Sequence, residues 1–262
     1  MINSSVLDIW VKRILKLTIF SLISLLLIIS ILCVIKRFEK NEKRLDLYFI
    51  ISSILTVLIH YSGLIVKFRN GDYFIEDNLF LPVYPCNVMM WINLILCFLI
   101  IKKGKAFRIL ATFSMYVGTV CGIIGLCFNT NFLAYPHFSD YSVLKGLLSH
   151  VTLIFSSLYI GLFGYIKIDT IKNLTALLIG ACLLILCSVV SNQILILMGR
   201  DIVNGMFLRP NAEYPFASFY TISLVGLALY FAFTTIYEAL RYKEDAWFRR
   251  IGKKEENERD FN

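Results

Sequence analysis

Charged side chains are scarce in this sequence. Only 17% of the 262 residues are Asp, Glu, Lys or Arg, whereas 58% are hydrophobic. Soluble domains are closer to half apolar and a quarter charged, so the composition excludes an ordinary water-soluble protein. The apolar residues form blocks about twenty long, which is the length that an α-helix needs to cross roughly 30 Å of hydrocarbon. We therefore predict an all-α, polytopic membrane helix bundle.

Metal-binding and disulfide patterns are also missing. The seven cysteines contain no Cys-x-x-Cys pair and no zinc-ligand spacing. Most of them lie within apolar blocks, where cysteine acts as a small hydrophobic residue, and we expect neither a metal nor a cofactor. The first apolar block is too long for a signal-peptide core and has no small-x-small cleavage site before Lys36, so we expect a retained span.

Seven apolar blocks predict seven transmembrane helices within residues 17–237. Residues 1–16 precede them as an interfacial segment, and residues 238–262 follow as a charge-rich basic tail that we expect to be disordered. Approximate bounds of the spans are Leu17–Ile35, Leu47–Val66, Leu79–Ile101, Ala106–Phe128, Leu147–Ile166, Leu174–Met198 and Phe216–Tyr237.

The distribution of positive charge predicts the orientation. Eighteen of the 26 Lys and Arg residues lie on the face that holds the C-terminal tail. By the positive-inside rule this face is cytoplasmic, which places the N-terminus outside and the C-terminus inside. The same asymmetry accounts for the net charge of +8, so that charge does not indicate nucleic-acid binding.

Polar side chains gather at one depth of the predicted bundle. Five separate helices bring a polar residue to their outer half, namely His60, Asn87, Asn129, His150 and Asn192. The inner halves offer little comparable apart from Asn93 and scattered Ser or Thr. Polar groups are costly in hydrocarbon and usually mark interior or functional positions. The pattern therefore predicts a polar cavity that opens towards the outer leaflet.

The segment Leu81-Pro82-Val83-Tyr84-Pro85-Cys86-Asn87 carries the strongest chemical signal. Pro85 suits the first position of a helix, where its missing N–H costs nothing. Cys86 then lies in the first turn, where the helix dipole favours the nucleophilic thiolate and backbone N–H groups can hold an oxyanion. His150 is the first candidate for the general base and His60 the second. The alternative is a structural cysteine beside histidines that bond to neighbouring helices.

Two further segments have weaker signals. Gly118, Gly122 and Gly125 predict close packing of the fourth span and need no catalytic role. The stretch Asn204-Gly205-Met206-Phe207-Leu208-Arg209-Pro210 predicts a turn into an interfacial piece, where Arg209 meets a lipid phosphate.

These motifs together resemble the transmembrane protein 164 family, which includes YwaF-type bacterial integral membrane proteins. The matching segments are Leu81–Asn87, Gly118-Thr119, Ser149-His150 and Asn204–Leu208, and their order and spacing agree over roughly residues 45 to 235. The resemblance implies an acyltransferase that moves a fatty acyl chain between phospholipids through a cysteine thioester, with Cys86 as nucleophile and His150 as base. Tyr84 and Gly205 stand where the family commonly has histidine and tyrosine.

The leading hypothesis is therefore a lipid acyltransferase or transacylase of the cell membrane that acts on membrane phospholipids. A small-solute transporter or ligand-binding membrane protein is the alternative, although the spans contain almost no Asp or Glu for ion coupling. A third class is a regulatory subunit without chemistry, which would use its basic tail on anionic lipids. For the enzyme, the predicted substrate-binding residues are His60, Tyr84, Asn87, Asn129, Asn192, Asn204 and Arg209.

Overall fold

The structure is a computed structural model, and it describes residues 4–71, 79, 81–134, 136–200, 208 and 218–250. Within those ranges the secondary structure is helical and contains no β-strand. A π-helix at Ser114–Gly118 and a 3₁₀ turn at Lys243–Asp245 are among the helical elements. The α-helices are α1 Ser4–Phe38, α2 Glu42–Arg69, α3 Pro85–Leu99, α4 Lys105–Phe113, α5 Thr119–Cys127, α6 Thr130–Ala134, α7 Tyr141–Leu162, α8 Thr170–Leu197 and α9 Phe219–Arg241.

The predicted all-α membrane bundle is confirmed. Six helical segments in the described part of the chain are long and apolar enough to cross a membrane: α1, α2, the run from α4 to α6, α7, α8 and α9. The predicted third span is instead the 15-residue helix α3. At 1.5 Å per residue, α3 is about 22 Å long and falls short of the hydrocarbon thickness. The count of seven spans and the orientation therefore stay predictions.

Local sequence explains several of the helix ends. Pro85 begins α3, as expected, so this helix starts six residues later than the apolar block at Leu79 suggested. Asp140 caps α7 by accepting from the backbone N–H groups of Ser142 and Val143, which places the helix start before the predicted Leu147. At the N-terminus, α1 continues through residue 16 without a break.

Helix α7 lies at the centre of the bundle. It contacts α1 to α6 and buries Tyr159 completely. At the edge, α9 packs mainly against α8, and its Leu224, Phe233 and Leu240 are exposed. A large apolar surface of this kind is expected where a helix faces lipid tails.

A polar network lies inside the bundle between α3, α7 and the π-helix. Asn93 donates from Nδ2 to Ser156 Oγ at 2.9 Å, and its Oδ1 accepts from the Ser114 hydroxyl. Ser114 and Ser157 are 3.4 Å apart at their Oγ atoms, and all four residues are buried. Because each of these four side chains has a hydrogen-bond partner within the network, it joins three elements without an unsatisfied group among its own members.

Candidate functional site

Cys86 lies at the start of α3. Tyr84 has extended backbone angles and occupies the N-cap, Pro85 is the first helical residue, and Cys86 is the second. The Cys86 side chain is half-buried and packs against the hydrophobic core. The predicted position of the cysteine in the first turn of a helix is therefore confirmed, while its role as a nucleophile stays a prediction.

Asn87 connects this helix start to α2. Its Oδ1 accepts from the backbone N–H of Tyr84 at 3.2 Å, which satisfies a donor that the helix leaves open. Its Nδ2 lies 3.2 Å from Nε2 of His60. Only 4% of Asn87 is exposed. The amide therefore fixes His60 against the helix turn that carries Cys86.

His150 approaches the same region from α7. Its imidazole lies directly against Gly125 of α5, where a Cβ atom would overlap the ring. The ring is close enough to His60 for the two to interact electrostatically. His150 Nδ1 is buried and has no hydrogen-bond partner among the residues that the structure describes. Cys86, Asn87, His60 and His150 together form the histidine cluster.

The glycines of the fourth predicted span pack as expected, and one of them also touches the site. Gly118 lies against the Ser157 side chain, and Gly122 lies against the Ile154 side chain of α7. Gly125 continues this face and accommodates the His150 ring. The sequence predicted the close packing, and the missed signal was that the third glycine falls opposite a histidine of the candidate site.

Cys121 is a second neighbour that the sequence did not single out. It is near enough to Cys86 to interact with it electrostatically, and it lies one turn before Gly125 on α5. Residues four apart share a helix face, so Cys121 and Gly125 could have been grouped in advance, although nothing in the sequence joined them to Cys86.

Other predicted binding residues have structural contacts. Asn129 is buried, and its Oδ1 accepts from Phe132 N at 3.0 Å at the start of α6. Asn192 donates to Ser188 Oγ at 3.5 Å within α8. The Tyr84 side chain is 39% exposed. Asn204 and Arg209 lie outside the described residues, so their predicted roles are not tested.

A second polar cluster lies at the opposite end of the bundle. It consists of Asp169, Thr170, Glu238, Trp247 and Arg250, and we name it the Glu238 cluster. Arg250 donates to both oxygens of Asp169 at 3.1 and 3.2 Å and is 3.7 Å from Glu238 Oε2. Glu238 is 1% exposed and accepts from the Thr170 backbone and hydroxyl and from Trp247 N.

The electrostatics of this cluster favour the charged form of Asp169. Burial alone raises the pKa of Asp169, but the hydrogen bonds from Arg250 and the backbone N–H of Lys172 outweigh burial and hold the pKa below its usual range. A cavity of about 230 Å³ adjoins the cluster and is lined by Lys167, Ile168, Asp169, Glu238, Tyr242, Asp245 and Arg250.

The Glu238 cluster also corrects one prediction about the tail. Helix α9 continues beyond residue 237 to Arg241, and residues up to Arg250 pack on the start of α8 through this cluster. The expected disorder is therefore wrong for residues 238–250, because ionic and hydrogen-bonding partners at the start of α8 and on α9 outweigh the polar composition. Residues 251–262 lie outside the described part of the chain.

Membrane-length apolar helices that enclose two polar clusters define this chain as an α-helical integral membrane protein. The family follows from the comparison with family models. The model of the TMEM164 family matches residues 12–237, and the chain belongs to that family, as the motifs predicted. Neither a curated protein nor a solved structure matches the chain.

Proposed function

We propose that this protein is a lipid acyltransferase or transacylase of the cell membrane that forms a thioester on Cys86. The observation that supports it best is the buried Nδ1 of His150, which has no partner in the described part of the chain. Leaving a buried nitrogen without a hydrogen bond costs about 1–3 kcal/mol, so such an atom is usually reserved for a ligand or a reaction. A cysteine in the first turn of a helix supplies the nucleophile.

The reaction proceeds in two half-reactions at Cys86. The thiol proton passes to Nδ1 of His150, and the sulfur electron pair forms a C–S bond to the ester carbonyl of a phospholipid. The carbonyl π pair moves to oxygen and then returns, which breaks the ester C–O bond. The leaving alkoxide takes the proton from His150, and a lysolipid departs. A hydroxyl of a lysolipid or glycerol then attacks the thioester by the same steps in reverse.

Several features of the fold suit a lipid substrate. The histidine cluster draws on α2, α3 and α7, whose outer surfaces are apolar, with exposed side chains such as Leu58, Ile65 and Leu148. A diacyl lipid can therefore keep its chains in hydrocarbon while its ester reaches Cys86, through a cavity open to the outer leaflet. Tyr84, Asn129, Asn192, Asn204 and Arg209 are proposed to line the path, with Arg209 on the phosphate.

The test compares purified wild-type protein with Cys86→Ala, His150→Ala and Cys121→Ala in detergent. A long-chain alkyl chloroacetamide is the electrophilic probe, and mass spectrometry reads which cysteines it modifies. Acyl exchange between a chain-labelled phospholipid and a lysophospholipid is measured in parallel. We expect Cys86 to react fastest, His150→Ala to slow it and Cys86→Ala to abolish exchange, while Cys121→Ala retains Cys86 labelling.

Two outcomes would overturn the proposal. If exchange continues unchanged in Cys86→Ala, the thioester route is wrong. Labelling of several cysteines at equal rates, with no influence of His150, would instead favour a ligand-binding or transport function in which Cys86 is an ordinary buried thiol.

A further inference from the structure

We infer that Asn87 is a positioning residue that fixes the tautomer of His60 and thereby leaves His150 as the base. The inference rests on the proposed function for its catalytic part. Its structural part rests on the two bonds of one buried amide, Oδ1 with the Tyr84 N–H and Nδ2 with His60 Nε2, both at 3.2 Å.

The first bond sets the orientation of the amide. A backbone N–H can only donate, so the end of Asn87 that faces Tyr84 has to be the carbonyl oxygen. The opposite end, which faces His60, is then the NH₂ group. Turning the amide over would place NH₂ against the N–H of Tyr84 and would leave the helix start without its acceptor. The helix cap thus prevents the amide from flipping.

The orientation of the amide then determines the protonation of the ring. An NH₂ group can only donate, so Nε2 of His60 has to accept. A neutral imidazole carries one proton, and in His60 that proton is therefore on Nδ1. Protonating Nε2 would place two N–H groups opposite each other and break the bond to Asn87.

This arrangement divides the roles of the two histidines. The Nε2 lone pair of His60 is occupied by Asn87, so His60 accepts a proton there only by losing this bond. The buried Nδ1 of His150 has no such partner among the described residues. When the Cys86 S–H bond breaks, its electron pair stays on sulfur and the proton forms a new N–H bond at His150 Nδ1. The sequence alone had left the choice between the two bases open.

Nitrogen NMR on ¹⁵N-histidine-labelled protein tests the tautomer without any activity. The chain has three histidines, His60, His137 and His150, so a His60→Gln sample assigns the His60 signals. Well above the ordinary histidine value of about 6.5, we expect the wild-type ring to be protonated on Nδ1 and unprotonated on Nε2. A wild-type ring protonated on Nε2 would overturn the inference, whatever the variants do.

Asn87→Asp is the matching variant, since it keeps the shape and still accepts from Tyr84 N–H. A carboxylate can only accept, so Nε2 of His60 must become a donor, and its NMR signal must change to that of a protonated nitrogen, either in the other neutral tautomer or in a doubly protonated ring. An unchanged pattern in Asn87→Asp contradicts the inference. Asn87→Ala, which loses the helix cap without supplying a new acceptor, separates the tautomer effect from a loss of helix stability.

The rate of Cys86 alkylation tests the division of roles. A general base contributes about 10²–10⁴-fold, so His150→Ala should slow labelling by at least about 100-fold. His60→Gln should slow it by less than about tenfold, because it disturbs position and not proton transfer. The reverse order would overturn the assignment of His150 as base. If neither variant slows labelling, the proposed function fails, while the NMR result for His60 still decides the tautomer.

Discussion

The two polar clusters of this bundle differ in how completely their groups are bonded. In the Glu238 cluster, both oxygens of Glu238 and of Asp169 accept hydrogen bonds from the backbone or from side chains. In the histidine cluster, Asn87 bonds His60, and Nδ1 of His150 has no partner within the described ranges. One cluster is a closed network, whereas the other contains a buried ring nitrogen that has no hydrogen bond in the described part of the chain.

The difference separates a stabilising role from a chemical one. Closed buried networks hold elements together, since every group that left water has gained a partner. A buried polar atom without a hydrogen bond costs stability. Such an atom is retained where a ligand or a transferred proton will bind to it. Variants of the Glu238 cluster should therefore change stability, and variants of the histidine cluster should change activity.

Glu238→Ala should have the largest effect on stability. It removes the acceptor for Thr170 N, Thr170 Oγ1 and Trp247 N, and it leaves Arg250 without one of its two carboxylates. Loss of one partner from a buried charged network costs about 3–5 kcal/mol. We expect a clear fall in the free energy of unfolding, measured by denaturant titration in detergent, with normal exchange activity in the protein that remains folded.

Glu238→Gln is the control for this change. A glutamine keeps one acceptor oxygen for Thr170 and loses the charge, so it should be less destabilising than alanine. Equal stability of wild type and Glu238→Ala would show that the cluster does not hold α8, α9 and the following residues together. The stabilising role assigned to the Glu238 cluster would then be wrong.

Gly125→Ala should have a smaller effect on stability than Glu238→Ala and a larger effect on activity. Its Cβ overlaps the His150 imidazole, so the ring has to move away from its position in the site. Overpacking costs about 1–3 kcal/mol of stability. Misplacing a catalytic group by about 1 Å can cost about 100-fold in rate, and we expect acyl exchange to fall by that order.

Gly226→Ala is the matched control. Gly226 lies inside α9, and a Cβ there would meet nothing within 4 Å. Replacing a helical glycine with alanine at an open position favours the helix by about 0.5–1 kcal/mol, so stability should rise and exchange should stay normal. Full exchange activity in Gly125→Ala would remove the support for His150 as the base.

Much of the fold could be predicted, because apolar length and proline position act locally. Block length located the helices, and Pro85 marked the start of α3, since proline lacks the N–H that a helix interior requires. The start of α7 was missed because Asp140, a cap seven residues before the hydrophobic stretch, is a weaker signal than hydropathy. The ordered structure of residues 238–250 was not predicted because it depends on hydrogen bonds between Arg250 and Asp169, which are distant in sequence.

Less of the candidate site could be predicted, because its contacts join separate helices. A polar residue at the right depth can be found from the sequence, as His60, Asn87 and His150 were. The depth of a residue does not give the direction of its side chain, so Asn129 and Asn192 could not be distinguished from the residues of the histidine cluster. Their described hydrogen bonds are instead made to Phe132 of α6 and to Ser188 of α8. The bond from Asn87 to His60 required the packing of α3 on α2.

The smallest predicted effect is a pH dependence that belongs to the Glu238 cluster alone. The pKa of Asp169 is lowered in the folded protein, with burial opposing and Arg250 and Lys172 favouring the charged form. Arg250 is 39% exposed and lies between Asp169 and Glu238, so its contribution is limited to about 1 kcal/mol. Arg250→Gln should therefore lower the free energy of unfolding by about that amount near neutral pH.

The sign of the pH effect follows from linkage. A carboxyl whose folded pKa is depressed contributes stability above its unfolded value of about 3.9, and the contribution is lost as pH falls through the folded value. The difference in unfolding free energy between wild type and Arg250→Gln should hence be constant near neutrality and shrink below about pH 4. Asp169→Asn, which keeps an N-cap acceptor, should reduce the effect of Arg250→Gln to what Arg250 contributes through Glu238. If the difference in unfolding free energy between wild type and Arg250→Gln grows as the pH falls, Arg250 stabilises the fold through some group other than Asp169. The role assigned to the bond between Arg250 and Asp169 would then be wrong.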